Sequence, residues 1–475
     1  MKMLIGGRWT EASDGGKISV LNPATLEKID EVPAASRADV MTALDCARRG
    51  AEEWAACPLH RRIQIIRTFL EAFRRHRAEL AELLQLETGK ITAAAQGCID
   101  GSLELGEHYA ELARTLGGET FPMGNREGTE NDLLVTVREP LGVVVCILPY
   151  NFPIDAYMHK VIPALLMGNA VLIKPASATP LTDIRCTQLL LESGVPGNAV
   201  QIVTGSGGKI GEWLTSDPRV ALVNLTGSTQ VGIQIAKNCA GHLHRTHLEL
   251  GGNDALIILP DADVDEAAEE AFRSRIGNCG QTCCAGKRFL VHQSMRDAFA
   301  AKLRENLRQV VVGDPRAPET TCGPLISEKA AGDLEAQLAL SVRQGGRILQ
   351  GGHRLGKTFF EPTLMELTAE ADAARDLELF GPVWSMLVYQ TVDEAVELAN
   401  RSMYGLSSGV LGKDMPTMMR VARSLRAGTC VVGGSGAYRT CDQPFGGYKM
   451  SGLGREGGRY TLEELSQVKC IVLKS

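Results

Sequence analysis

The sequence has no excess of positive charge. Lysine and arginine total 50 against 56 aspartates and glutamates, a formal net charge of −6, which gives no footing for nucleic acid or an acidic membrane surface. Long apolar runs are missing as well. The longest, such as GVVVCILPY and ALIILP, have about half the length needed to cross a bilayer, so no membrane span is expected. The first residues, MKMLIGGRWTEASDGGK, hold no apolar h-region and no small-residue cleavage site, so no secretory signal is expected. No low-complexity tract and no repeat of fixed period appears. Cysteine is not scarce, but its count of 13 is odd and members such as Cys146, Cys430 and Cys470 fall in apolar segments, unlike a secreted disulfide framework. The expected compartment is a reducing cytoplasm. A chain of 475 residues is long enough for two or three domains with a sizeable core.

The hydrophobic pattern changes along the chain. Residues Ser36–Gln85 and Cys98–Arg114 carry apolar positions at helical spacing with charged opposite faces, which predicts an N-terminal helical layer. From Gly142 onward, short unbroken apolar runs (GVVVCIL, AVLIKP, VQIVTG, ALVNLTG) alternate with helical stretches, as expected of parallel strands buried on both faces in a doubly wound sheet. A second α/β set follows residue 287: FLVH, a helix over Ser294–Arg308, WSMLVYQ, a helix over Val392–Ser402, SSGVLG and GTCVVGG. Asn131–Arg138 and Cys470–Lys474 remain outside both sets and are read as strands that pair into a small projecting sheet used for assembly.

Two glycine-rich loops invite a phosphate reading. In GSGGKIG, Gly205 to Gly211, the last glycine falls one place too late for a dinucleotide fingerprint and no lysine–serine pair makes a phosphate loop, so a structural turn is its first reading. ALVNLTGSTQVG, Ala221 to Gly232, is better placed: a buried strand runs into Gly227-Ser228 and a helix begins there, so backbone N–H groups and the positive end of the helix can receive a pyrophosphate. The stretch NCGQTCCAGK, Asn278 to Lys287, crowds three cysteines. A thiol becomes nucleophilic where positive potential or backbone donors favour the thiolate. From the residues alone, Cys279, Cys283 and Cys284 each read first as small buried hydrophobes. No downstream Cys or His pair has zinc spacing, so no metal is expected.

Seven motifs give the chain a family resemblance: PYNFP (Pro149–Pro153), IKPA (Ile173–Ala176), TGSTQVG (Thr226–Gly232), LELGG (Leu248–Gly252), GQTC (Gly280–Cys283), ELFGPV (Glu378–Val383) and PFGGYKMSGLGREG (Pro444–Gly457). In this order, and preceded by IGGRW at Ile5–Trp9, they resemble the aldehyde dehydrogenase superfamily, near its non-acylating lactaldehyde and succinate-semialdehyde branch. The resemblance implies an α/β fold with a Rossmann-like cofactor domain over residues 1–117 and 140–249, an α/β catalytic domain over 250–455, and oligomerisation segments at 118–139 and 456–475 that form a small sheet. It also implies a homodimer or homotetramer. Cys283 becomes the expected nucleophile, while Cys279 and Cys284 keep their structural reading.

The same resemblance implies the remaining roles. Asn151 and the backbone N–H of Cys283 would stabilise the oxyanion, Glu249 would be the general base for thioester hydrolysis, and Lys160 with Glu456 would relay protons. NADP or NAD would lie along Ile147, Leu148, Pro149, Tyr150, Lys174, Ser177, Gly207, Gly211, Thr226, Gly227, Ser228, Gly232, Glu249, Leu250, Gly251, Glu378 and Phe380. Members preferring NAD often carry glutamate three places after the lysine of IKPA; Ser177 stands there, so NADP is expected to be accepted. The substrate wall would comprise Phe152, His159, Thr282, Arg439 and Phe445. His159 and Arg439 replace the aromatics of members acting on plain aldehydes. The two arginines of the succinic semialdehyde members are absent, with His159 and Gly277 in their places. A cationic Arg439 and a titratable His159 suggest a short oxygenated aldehyde: a hydroxyaldehyde such as lactaldehyde or glycolaldehyde, or one ending in an acid group. Rival readings are a succinate-semialdehyde dehydrogenase or a broad-specificity aliphatic or aromatic aldehyde dehydrogenase, a thioester-forming dehydrogenase that passes the acyl group to coenzyme A and typically lacks the LELGG glutamate, a cysteine hydrolase, and a non-catalytic nucleotide-binding protein.

Overall fold

A computed structural model describes residues 1–474. Among them, two large sheets organise the chain. The first runs from edge to edge as Gly452–Leu453, Arg245–Glu249, Val220–Thr226, Val143–Ile147, Ala170–Lys174, Val200–Ile202, Met3–Ile5 and Arg8–Thr10. Its five central strands are parallel. Val143–Ile147 and Ala170–Lys174 are buried at every position, which is why their sequences read as apolar runs. Side chains alternate between two cores. Val144 and Cys146 join the core containing Ile66, Phe69 and Leu165, while Val145 and Ile147 join the one containing Val40, Leu44 and Ile210.

The parallel part of this sheet begins at Val143–Ile147, moves outward through Ala170–Lys174 and Val200–Ile202, then returns to the other side at Val220–Thr226 and Arg245–Glu249. The reversal opens a crevice at the carboxyl ends of the central strands, the usual ligand position in doubly wound sheets.

The second sheet runs Arg347–Gln350, Thr363–Glu366, Val383–Tyr389, Arg288–His292, Ala255–Ile258, Ser407–Leu411 and Thr429–Val432. Only Arg347–Gln350 runs antiparallel to its neighbour. The helices expected near Ser294–Arg308 and Val392–Ser402 span Arg296–Arg308 and Val392–Asn400. Leu133–Pro140 and Ser466–Leu473 pair as a separate antiparallel ribbon, Leu133 opposite Leu473 and Pro140 opposite Ser466.

Several elements were not legible in the pattern. Met3–Ile5, Arg8–Thr10 and the hairpin of Lys17–Leu21 with Lys28–Pro33 are short, and most are half-exposed, too brief to establish a period. The C-terminal stretch also returns to the first body before entering the ribbon. Gly452–Leu453 pairs with Leu248–Glu249, and the helix Gly458–Glu464 buries Leu462 in the core of the first sheet. No helix among the described residues is long and apolar enough to cross a membrane.

Candidate active site

Most of the expected cofactor residues fall at or just beyond the carboxyl ends of the first sheet's central strands. Leu148, just past its strand, donates its N–H to the Lys174 carbonyl at 3.0 Å, which ties the segment Ile147–Tyr150 to the neighbouring strand end. Lys174 is buried, its ammonium donates to the Pro175 carbonyl at 3.0 Å, and burial lowers it to about 8. Ser177 Oγ donates to the Gly205 carbonyl at 3.1 Å, and Gly207 opens the helix beyond. Thr226 ends its strand, Gly227 N–H donates to the Glu249 carbonyl at 3.0 Å, and Ser228 caps the helix Thr229–Ala240. Gly211 lies inside its helix, and Gly232 is buried beneath Leu250. Across the crevice, Glu378 accepts from Gly252 N–H at 3.3 Å and pairs with Lys287 at 3.2 Å. Glu378 also sits against Gly251. Phe380 meets Tyr150 edge-on, with ring centroids 6.3 Å apart.

The cysteine loop leaves a helix of the second body, Val264–Ile276. Asn278, Cys279 and Gly280 take left-handed φ values of 52°, 55° and 72°, a conformation unfavourable for the first two. A β-carbon on Gly280 would lie 2.0 Å from the Gly381 carbonyl oxygen, so only glycine lets this turn press on the segment that carries Glu378 and Phe380. Asn151 Nδ2 donates to the Gln281 carbonyl at 3.0 Å, and Asn278 Nδ2 donates to the carbonyls of Asn151 and Gln281, both at 3.2 Å. Cys283 is half-buried and packs against a cluster of Cys284, Leu406 and Phe445, while Lys287 Nζ donates to its carbonyl. Thr282 is half-buried beside it. The adjacent thiols of Cys283 and Cys284 share a hydrogen bond. That bond, then burial, pushes Cys283 well above the ordinary thiol range, whereas the same bond, with the positive potential of Arg439 and Lys287, outweighs burial and draws Cys284 down to about 6, so the first proton leaves the pair below the ordinary thiol range,. Cys279 is buried beside Cys322.

Glu249 ends its strand in the interior, and neither carboxylate oxygen has a hydrogen-bond partner among the described residues. Burial, then the charge of Glu456, pushes it well above the usual carboxylate range. Lys160 and Glu456 form a buried ion pair, and Lys160 Nζ also donates to Asn224 Oδ1 at 2.9 Å. Glu456 exchanges backbone hydrogen bonds with Phe445 at 2.6 and 2.7 Å, which ties this pair to the wall beside Cys283. Burial raises Glu456, but Lys160, His159 and His247 outweigh it and hold the carboxyl down at about 2.

Of the expected substrate residues, Phe152 begins the helix Pro153–Leu166 and carries the Lys90 ammonium 3.8 Å from its ring centroid. Arg439 stacks on Phe445, its guanidinium carbon 3.5 Å from the ring centroid, and Nη1 is buried without a partner among the described residues. His159 differs from expectation. Its Nδ1 bonds the Tyr109 hydroxyl at 2.8 Å, and burial lowers it to about 4, so it is neutral at physiological pH rather than titrating there. Among the described residues no cluster of histidine, cysteine and carboxylate side chains is arranged to hold a metal.

Sequence reasoning missed Lys287, although it lies four residues after Cys283 in the same cysteine-rich stretch. It also missed His247, which strand alternation puts on the face of Glu249. Tyr109 and Asn224 gave no local signal, since their partners His159 and Lys160 are distant in sequence.

The chain matches the aldehyde dehydrogenase family over residues 9–471. It is similar to the succinate-semialdehyde dehydrogenase [NADP(+)] of Escherichia coli (strain K12), 36% identical, with 99% of this chain and 97% of that protein covered. It is also similar to the 3,6-anhydro-alpha-L-galactose dehydrogenase of Vibrio sp. (strain EJY3), 34% identical, with 98% of each covered. A crystal structure of betaine aldehyde dehydrogenase from Staphylococcus aureus in complex with NAD+ superimposes with a TM-score of 0.96 at 32% identity, covering 100% of this chain and 95% of that one. With a family match running nearly end to end and a fold that superimposes over the whole chain, the chain belongs to the aldehyde dehydrogenase family and has its fold.

Proposed function

We propose that the protein oxidises a short aldehyde bearing an oxygen function at its far end to the carboxylic acid, with NADP or NAD as hydride acceptor. A terminal carboxylate, as in a semialdehyde, is the first choice and a hydroxyl the second. The observation that carries the substrate class is Arg439: a guanidinium held on the Phe445 ring, with a buried Nη1 that has no partner among the described residues, beside the cluster that packs Cys283. A buried N–H without an acceptor is costly, and a substrate carboxylate or hydroxyl would satisfy it. The Escherichia coli and Vibrio relatives, whose names specify aldehydes rich in oxygen, support the same class.

In this reading the Cys283 thiolate attacks the aldehyde carbon, and the carbonyl oxygen becomes an oxyanion. Asn151 has two amide protons, one given to Gln281,; the other, with the Cys283 backbone N–H, receives the oxyanion. A bound nicotinamide supplies what the side chains lack, a hydride acceptor. The thioester left on Cys283 is hydrolysed by water, whose proton goes to Glu249. Lys160 and Glu456 carry that proton onward. The crevice fits a dinucleotide. The Lys174 ammonium has one protein acceptor and two protons left that would serve ribose hydroxyls,, and the first-turn N–H groups of the helix capped by Ser228 would hold the pyrophosphate,. Ser177 adds no charge against a 2′-phosphate, so NADP is accepted.

The ribbon of Leu133–Pro140 and Ser466–Leu473 exposes Val468, Ile471, Val472 and Leu473. Two strands alone are marginal, which supports an assembly role in a homodimer or homotetramer, to be read by light scattering.

The deciding experiment is NADPH or NADH formation at 340 nm with succinic semialdehyde, lactaldehyde, glycolaldehyde, propanal and benzaldehyde, in the unsubstituted protein and in Arg439→Ala. Loss of a charge-assisted hydrogen bond, about 1.5–3 kcal/mol, lowers kcat/KM for the oxygenated substrates roughly 10- to 100-fold, with propanal nearly unchanged. Equal losses on propanal and succinic semialdehyde overturn the role of Arg439.

A further inference from the structure

His247 lies two residues before Glu249 on the same strand, so the two side chains share a face of the sheet,. It is buried to within 1% of its side-chain surface, and neither ring nitrogen has a hydrogen-bond partner among the described residues. Glu249 is in the same state, with both oxygens unpartnered. The two orphaned groups face each other, His247 Nε2 lying 3.6 Å from Glu249 Oε1. Two buried polar groups left unpaired side by side need a reason, and a small tilt of the ring brings the pair to hydrogen-bond distance.

The ring is held for this contact. Gly454, at φ +88°, passes over its edge so closely that a β-carbon there would lie 2.6 Å from Cδ2 and 3.2 Å from Nε2. In the parallel register His247 stands opposite Asn224, whose Oδ1 binds Lys160. The charged and titratable groups acting on the ring are Glu249 on its own strand, Glu456 and Arg455 from the C-terminal segment, and Lys160 and His159 from the helix Pro153–Leu166. Burial outweighs the attraction of Glu456 and lowers His247 to about 4. The imidazole is neutral at working pH and keeps one N–H to donate.

We propose that His247, donating through Nε2–H, is the positioning residue that orients the Glu249 carboxylate and stabilises its charged form for thioester hydrolysis. The proposal rests on the reading of Glu249 as general base. No proton changes owner between the two groups: the water proton goes to Glu249, and the histidine N–H stays on its nitrogen throughout. Without this donor, the desolvated carboxylate would hold its proton to higher pH and face the acyl group less often.

The test separates the two halves of the reaction in the full-length protein. Rapid-mixing measurements follow the burst of NADPH, which reports acylation, and quenched samples follow decay of the acyl-enzyme from pH 5.5 to 9. In His247→Leu the burst rate is expected to stay within about twofold, while the acidic limb of acyl-enzyme decay moves up by about one pH unit, roughly a tenfold loss below the limb. His247→Gln, which restores an N–H donor at similar reach, returns the limb to near its original position. A limb unmoved in His247→Leu, or moved equally in both variants, overturns the proposal while leaving Glu249 as base. Acyl-enzyme decay in Glu249→Gln that keeps the rate of the unsubstituted protein overturns the underlying reading instead.

Discussion

Asn151 and Gln281 are joined by a hydrogen bond of 3.0 Å from the asparagine side chain to the glutamine carbonyl, and this contact ties the start of a first-body helix to the cysteine-rich loop of the second. Asn151 precedes the helix Pro153–Leu166 of the first body, and Gln281 belongs to the loop that leaves the second. The amide is therefore fixed on the loop that carries Cys283 before any substrate arrives, the condition under which a donor lowers a barrier without a reorganisation cost.

Asn151→Ala removes that donor. The expected result is a fall in kcat of about 10²–10³ with little change in cofactor affinity, measured as burst rate and by NADP titration of the protein's fluorescence. A loss confined to KM would mean that the amide binds ground-state substrate only.

Cys283→Ala is expected to abolish turnover, and Glu249→Gln to stop it after the first step. In the glutamine variant one NADPH forms per active site, and mass spectrometry finds the acyl group retained on the tryptic peptide containing Cys283. Continued steady-state turnover in Glu249→Gln would assign the base to another group.

Ser177→Glu sets a carboxylate where Ser177 now bonds the Gly205 carbonyl. Like charges repel across a short gap, so the ratio of kcat/KM for NADP to that for NAD is expected to fall at least about tenfold. An unchanged ratio would place the 2′-phosphate elsewhere.

The buried imidazole of His247 also makes stability depend on pH. Its folded-state pKa of about 4 lies below the ordinary 6.5, so its contribution is complete above pH 6.5 and is lost as pH falls toward 4, where the unfolded chain binds a proton that the native state refuses. The difference corresponds to about 3 kcal/mol. Chemical denaturation of the unsubstituted protein and His247→Leu should show the stability gap shifting toward the variant by that order between pH 7 and 4. A gap independent of pH would mean that the ring is hydrated or charged in the native state.

Much of the architecture was legible because its central strands are buried on both faces, so apolar runs such as VVVCI and AVLIK announce them directly,. The peripheral strands were not, since the pairs at Met3–Thr10 and Lys17–Pro33 have few residues and mixed exposure. Site residues were legible where a motif gathers them locally, as with Glu249 and Cys283. They were silent where the partner is far away, as with Tyr109, whose hydroxyl bonds both His159 and Thr461.

The sequence by itself determined the family, the alternation of strands and helices, and the set of chemically able side chains, because these depend on local spacing and on motif order. Only the tertiary structure decided the state of those side chains. It put His159 against Tyr109 and made it neutral, linked Cys283 with Cys284 in the field of Arg439 and Lys287, and left His247 and Glu249 facing each other without hydrogen-bond partners among the described residues. Burial and contacts between distant residues set the cost of carrying a charge, and those are properties of the packed chain rather than of residue order.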